Sequence, residues 1–161
     1  MAIFSKTIFN ARASLVDRLV DENPKLSRER RPLRTLNRKR LRESVRRDLT
    51  WLLNTRTSLP GARYDKTDLT VIDYGMPDFG AYYTDNEEDH QRLVQRLLRA
   101  ISVFEPRLQN VKVAVELMRI NEKALRVVLD AMLVIDNVKT PVSFLAVLKG
   151  ETATVTLNAN R

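Results

Sequence analysis

The change of hydrophobic period at Pro106 is the feature that most constrains what this chain can fold into. Before it, apolar residues recur at the three- and four-residue spacing of a helix, the last of them being Ile101 and Phe104. After it, apolar and polar residues alternate as in a strand. Proline cannot continue a helix and favours extended geometry in the residue before it, so Glu105 and Arg107 flank a rigid charged corner. The sequence therefore predicts an α+β fold, with helices first and a sheet afterwards.

Three helices are predicted before this corner. A short amphipathic helix covers residues 10–21, and a longer helix covers residues 33–55. The longer helix carries one apolar stripe at steps of three and four, formed by Leu41, Val45, Leu49, Leu52 and Leu53. The third helix begins near Thr84 or Asp85, where acidic residues in the first turn complement the helix dipole, and it ends before Pro106.

At 161 residues the chain suits one domain. The domain is predicted to cover residues 33–161, with residues 1–32 forming the first helix and a flexible linker around Pro24. Segment 57–85 contains turn residues and all four tyrosines. We expect an ordered loop there, because exposed aromatic rings would be costly in water.

After the corner, the alternation predicts a three- to four-stranded antiparallel sheet, with the helices packed on one face. Residues 111–117 and 125–133 form a hairpin with a turn at 121–123. Residues 142–148 form the third strand and 152–157 a short fourth strand.

The basic character belongs to one segment. Residues 28–47 contain nine arginines and Lys39 against Glu29 and Glu43, which is 10 minus 2, or +8, and the rest of the chain is neutral with 18 basic and 18 acidic residues. This segment is expected to meet an acidic partner. Its candidate contacts lie off the apolar stripe and include Arg38, Arg42 and Arg46. A protein partner, a solvated face and nucleic acid are all open, although stacking aromatic residues are missing from residues 28–50.

The sequence does not favour catalysis. The chain has no cysteine and only one histidine, His90, which is expected to be an exposed surface residue. Arg107 beside Glu105 favours a charged carboxylate, whereas a glycosidase acid needs a raised pKa. No metal or cofactor is expected, and neither a signal peptide nor a membrane span is visible in the sequence.

For Glu105, Pro106 and Arg107, two interpretations stay open at this point. One is a helix stop with a local surface ion pair. The other is a docking point, because arginine presents a fixed fork of donors to carboxylates and carbonyl groups.

Three segments in order, Ser44 to Arg56, Tyr74 to Phe79 and Phe104 to Leu108, resemble the TssE family. These are the baseplate wedge subunits of bacterial type VI secretion, related to the small wedge protein of contractile phage tails. The resemblance spans residues 14–150, with Met76 where leucine is common, which is a volume-conserving difference.

The resemblance implies a non-enzymatic assembly role without cofactors in the bacterial cytoplasm, within a baseplate docked at the inner-membrane complex. The implied partners are TssF and TssG, through them TssK, and the sheath proteins TssB and TssC. The family's Glu-Pro-Arg motif falls on Glu105, Pro106 and Arg107, and it is associated with docking on the core helical bundle of the wedge. With this resemblance, the threonine-rich strand 152–157 is expected to leave an edge that accepts a strand from a sheath subunit.

Overall fold

A computed structural model of the protein describes residues 11–19, 25, 35–80, 86–118, 124–135, 138–150 and 152–158. Its contacts divide the chain into two units, residues 1–44 and 45–161. Three predicted features lie outside the described residues: the linker around Pro24, the hairpin turn at 121–123, and the start of the third helix at Thr84 or Asp85.

The first unit contains strand β1 (Ala11–Arg12), helix α1 (Leu15–Leu19) and strand β2 (Thr35–Leu36), and the two strands pair antiparallel. The described helix is shorter than the predicted one over residues 10–21. The predicted hydrophobic period did not anticipate the two short strands, because two-residue strands have no period to detect.

Helix α1 turns its polar side inward. The carboxylate of Asp17 is buried and accepts hydrogen bonds from the hydroxyls of Ser14 and Ser44, at 2.8 and 2.9 Å. By contrast, Leu15 and Leu19 are 67% and 73% exposed. These hydrogen bonds offset the cost of burying a charged group and so set the orientation of the helix.

Helix α2 (Arg38–Asn54) begins later than the predicted Leu33. The reason is local, since the side-chain oxygen of Asn37 accepts a hydrogen bond from the Arg40 amide at 2.9 Å and caps the helix. The predicted stripe is confirmed: each member is at most 2% exposed, and they are Leu41, Val45, Leu49, Leu52 and Leu53.

The described part of the loop, residues 57–80, is ordered as predicted. It contains helix α3 (Gly61–Tyr64) and a 3₁₀ turn (Val71–Asp73). Arg96 donates two hydrogen bonds to Asp65, which lower the pKa of that carboxyl below its ordinary value. Gly75 has a φ of 118°, and a side chain there would approach the Thr55 carbonyl oxygen to 2.5 Å, so this turn requires glycine.

Helix α4 (Glu87–Phe104) is capped by Asn86, whose side chain accepts from the Glu88 amide. It ends where Pro106 predicts, and four strands follow: β3 (Leu108–Met118), β4 (Ala124–Ile135), β5 (Val138–Lys149) and β6 (Thr152–Leu157). They pair antiparallel in the order β3-β4-β5-β6. The fold is therefore α+β, as predicted.

One face of the sheet belongs to the core of the second unit. The helices of that unit, α4 and the part of α2 from Val45 onward, pack against it. Alternate residues of three strands are buried on this face: Leu125, Val127, Leu129, Ala131, Leu133, Val142, Phe144, Ala146, Leu148, Ala153 and Val155. Helix α4 contributes Leu93, Leu97, Ala100 and Ile101 to the buried residues. Within the described residues, no helix combines the length and the apolar character needed to cross a membrane.

Candidate docking site

The corner after α4 is a closed turn. The Glu105 amide donates to the Ile101 carbonyl at 2.9 Å, and the Glu105 carbonyl accepts from the Leu108 amide at 3.0 Å. Pro106 is exposed at the tip, whereas Glu105 is only 3% exposed. The turn therefore presents the proline ring outward and directs the glutamate into the protein.

Arg107 joins two carboxylates. Its guanidinium donates to both carboxylate oxygens of Glu105 and to Asp48 of α2, with each donor–acceptor distance at 2.5 Å. Asp48 lies 59 residues away in the chain. The two-pronged arrangement matches the planar geometry of guanidinium and carboxylate, which makes these strong, charge-assisted hydrogen bonds.

The surroundings keep Arg107 charged. Burial by itself lowers the pKa of Arg107, but the hydrogen bonds and negative charge of Glu105, and then those of Asp48, outweigh burial and raise it above its ordinary value. The ion pair between Glu105 and Arg107 therefore forms, but it is not a surface pair, because the Glu105 carboxylate is buried. The Arg107 side chain keeps 23% of its surface exposed, so a partner could still contact it.

Aromatic side chains surround this ion-pair network. Arg47 donates to Asp48 and lies over the ring of Trp51, 4.9 Å from its centroid. Trp51 is 46% exposed. The rings of Tyr74 and Phe104, the residue before Glu105, meet edge to face with centroids 5.2 Å apart. Burial raises the pKa of Tyr74, and the charges of Asp48 and Glu105 raise it further.

Sequence reasoning missed Asp48, Trp51 and Tyr74 as parts of this site. Asp48 and Trp51 are three residues apart on α2, a spacing that puts both on the same side of a helix. Nothing in the local pattern shows which later residues that side meets. All three nevertheless lie in the segments that carry the TssE resemblance.

The three arginines predicted as partner contacts fall in different units of the chain. Arg38 and Arg42 belong to the N-terminal unit. Arg46 instead donates to the Val155 carbonyl of β6 at 3.1 Å. Together with Arg47 on Asp48 and Trp51, two guanidinium groups of the basic segment thus bind groups of the protein itself.

The expected open edge of β6 is partly occupied. The Asn54 side chain accepts from the Ala153 amide and donates to the Ala153 carbonyl, at 2.9 and 2.8 Å, as a neighbouring strand would. Arg46 bonds the next outward carbonyl, that of Val155. The expectation of an open edge at β6 is therefore not supported.

The opposite edge, β3, pairs with β4 and with no other strand among the described residues. A bulge between Gln109 and Lys112 interrupts its start, with Asn110 at a φ of 51°. Beside it lies a groove of about 650 Å³, lined by residues of α4 and β3 that include Leu98, Ser102 and Val111. Strand β3 is therefore the edge that an added strand could reach.

No cluster of three or more potential metal ligands occurs in the part of the chain that the structure describes. His90 is half-buried, so the expectation of an exposed residue was wrong. Its Nε2 atom is buried, with no hydrogen-bond partner among the described residues.

Comparison with known protein families matches residues 39–138 to the family described as baseplate wedge protein gp25. This match covers more than half of the chain. The chain belongs to the baseplate wedge protein gp25 family. The resemblance seen in the sequence is thereby confirmed, and the matched residues of this gp25-family protein include Asp48, Trp51 and the Glu105–Arg107 corner.

Among solved structures, the gp25-family chain is similar to a chain of "The baseplate complex from the type VI secretion system". The TM-score is 0.50 at 17% sequence identity, covering 69% of this chain and 96% of the other. At this identity the likeness establishes a shared fold. A search of curated proteins found no significant match.

Proposed function

We propose that this gp25-family protein is a non-enzymatic structural subunit of a type VI secretion baseplate wedge. It works in the bacterial cytoplasm, in a baseplate docked at the inner-membrane complex. It docks on the core bundle of TssF and TssG, and through them joins TssK. The observation that carries the proposal is the family match over residues 39–138, which contain the whole ion-pair network of the corner. The type VI baseplate neighbour supports the choice of secretion system.

The corner supports docking because it is preorganised. Glu105 and Asp48 hold the Arg107 guanidinium in one orientation before any partner arrives. Pro106 is exposed in the same turn. Trp51 is 46% exposed and packs under Arg47, which bonds the same Asp48 carboxylate. A partner that meets a prearranged guanidinium, proline ring and indole loses little side-chain entropy on binding, and tryptophan and arginine are frequent hot spots of interfaces.

The test is the affinity for a purified TssF–TssG complex. Arg107→Glu should weaken binding by about 2 to 5 kcal/mol, the range for truncating a desolvated charge pair. Because this change puts a third carboxylate beside Glu105 and Asp48, it also strains the fold. Trp51→Ser alters an exposed side chain instead and should weaken binding by about 2 kcal/mol.

The control is Gln95→Ser, an exposed residue of α4. It should leave the affinity unchanged. Each variant is compared at a matched folded fraction, measured by circular dichroism. Unaltered binding by both Arg107→Glu and Trp51→Ser would contradict docking through the corner.

The second part of the proposed role is to help start polymerisation of the TssB–TssC sheath. A strand of a sheath subunit would add to the sheet, with main-chain hydrogen bonds supplying the affinity. The supporting observation is that β3 has one strand neighbour among the described residues, whereas side chains of α2 already bond β6. Strand β3 is accordingly the proposed acceptor.

Two proline substitutions test which edge strand, β3 or β6, accepts the added strand. The Val134 amide of β4 donates to the Arg107 carbonyl, so the main-chain groups of Val134 are directed towards β3. Because this direction alternates along an antiparallel strand, Val128 of β4 bonds its partner Ala114, whereas Val127 is directed towards β5. The amide of Val115, the partner of Val127, is therefore directed away from β4. Val115→Pro should remove an outward donor of β3 and lower the rate of sheath initiation in vitro. Val155→Pro makes the same change on β6 and should leave the rate unchanged in the folded fraction. The reverse pattern would assign the acceptor edge to β6.

A further inference from the structure

Two adjacent aliphatic side chains stand out on the surface of the second unit. Val71 and Ile72 are 87% and 86% exposed, more than any other large hydrophobic side chain among the described residues. Single exposed apolar residues are ordinary, but a contiguous exposed apolar feature marks a contact site.

The turn that carries them is closed by hydrogen bonds between its two ends. The Thr70 amide and hydroxyl both donate to the Asp73 carboxylate at 2.9 Å, and the Asp73 amide donates back to the Thr70 carbonyl at 3.0 Å. This reciprocal cap closes the turn at both ends. Val71 and Ile72 therefore project from a preorganised support, and binding them costs little loop ordering.

The exposed pair is linked to the corner through Tyr74 and Phe104. Tyr74 follows Ile72 by two residues, a chain distance of at most about 7 Å. The Tyr74 ring packs on Phe104, the residue directly before Glu105. A partner that covers both the corner and the Tyr74–Phe104 contact would therefore approach the Val71–Ile72 turn.

The charge around the turn indicates which kind of partner surface could bind it. Residues 67–84 contain Asp68, Asp73 and Asp78 and no lysine or arginine, in a chain with a net charge of +8. The neighbouring cations are Lys66 and Arg99, and Arg99 bonds the Thr67 carbonyl at the start of this segment. Exposed apolar side chains flanked by aspartates are repelled by phosphates and anionic lipid surfaces. They are complementary to an apolar groove with basic side chains at its edge. The chemistry fits a protein groove with an apolar floor and basic side chains at its edge.

We propose that Val71 and Ile72 insert into an apolar, basic-rimmed groove on the protein subunit that receives the Glu105–Arg107 corner. This inference rests on the proposed docking function and adds a second anchor to it. The double variant V71S/I72S removes the apolar anchor, whereas V71I/I72V exchanges the two residues and keeps it.

The probe is the purified TssF–TssG complex, and the readout is Kd for the full chain. V71S/I72S should raise Kd at least about tenfold, as expected for a hot spot. V71I/I72V should stay within about twofold because its volume is conserved. The control V138S/L157S removes two exposed apolar side chains from the sheet and should also stay within about twofold.

The outcomes separate the two proposals. If V71S/I72S keeps its urea midpoint and binds like the unaltered chain while Trp51→Ser loses affinity, the groove inference is overturned and docking through the corner stands. An equal loss for V138S/L157S would also overturn the inference, since any exposed apolar pair would then serve. If the unaltered chain does not bind the complex, both proposals are overturned.

Discussion

At the scale of single residues, Arg107 is the group on which the candidate site depends. Its guanidinium is held by one buried carboxylate, Glu105, and one half-buried carboxylate, Asp48. Removing one member of such a group leaves a buried charge without its partner, which is strongly destabilising. Replacing the whole ion pair by two apolar residues of similar volume would cost much less. The same bonds that prepare the corner for docking also join the end of α4 to α2.

Glu105→Gln tests this dependence. The substitution keeps the size of the side chain but removes its charge and one acceptor, so the free energy of unfolding should fall by about 1.5–3 kcal/mol. Urea unfolding measures the change. Glu116→Gln, an exposed position of β3 opposite Arg126, is the control and should cost less than about 1 kcal/mol. Equal losses of unfolding free energy at the two positions would show that the buried pair stabilises the fold no more than an exposed pair does.

At the scale of elements, α2 does more than bury its apolar stripe. From its exposed and half-buried positions, Asn54 and Arg46 bond main-chain groups of β6. Unpaired edge strands invite pairing with other chains, and covering an edge is one way in which proteins prevent it. Helix α2 covers β6 in this way, which directs the proposed strand addition to β3.

Asn54→Ala should remove the side-chain hydrogen bonds of α2 to Ala153 of β6. The Ala153 amide would lose its acceptor, a hydrogen bond with a net contribution of about 0.5–1.5 kcal/mol. Its hydrogen exchange should therefore speed up by as much as about tenfold, as measured by NMR. The exchange of the Thr154 amide, which lies within the β5–β6 ladder, should change less. Gln95→Ala on α4 serves as the control, and an unchanged Ala153 rate would contradict the proposed cover.

At the scale of the whole molecule, the loop between α2 and α4 contributes to the core. Tyr64 is fully buried, and its hydroxyl donates to the Gly75 carbonyl at 3.2 Å. Burial raises the pKa of Tyr64 to about 12, an effect that the charge of Arg99 partly opposes. The fold therefore prefers the neutral phenol more strongly than the unfolded chain does.

Stability should depend on alkaline pH accordingly. The contribution of Tyr64 is fully present below its unfolded pKa of about 10 and is lost as pH rises towards about 12. The loss is about 1.4 kcal/mol for each pH unit in that window. Urea unfolding at a series of pH values measures it. Tyr64→Phe has no group to titrate at this position, so its stability should fall less steeply. Parallel curves for the two proteins would contradict this assignment.

Much of the fold follows from periodicity alone. The stripe from Leu41 to Leu53 and the alternation after Pro106 predicted α2 and the sheet, because the spacing of apolar residues determines which face of an element is buried. The start of α2 at Arg38 and the two-residue strands were not predicted. These depend on a cap by Asn37 and on pairing between distant segments, neither of which leaves a hydrophobic period.

By itself, the sequence determined the order of helices and strands, the position of the corner at Pro106 and the resemblance to a family of baseplate wedge proteins. Tertiary structure alone decided that Asp48 joins Arg107, that Asn54 and Arg46 cover β6, and that Val71 and Ile72 project outward. The physical reason is that local spacing sets which side of an element faces the core. Contacts between residues 59 to 109 positions apart, by contrast, depend on how the elements pack.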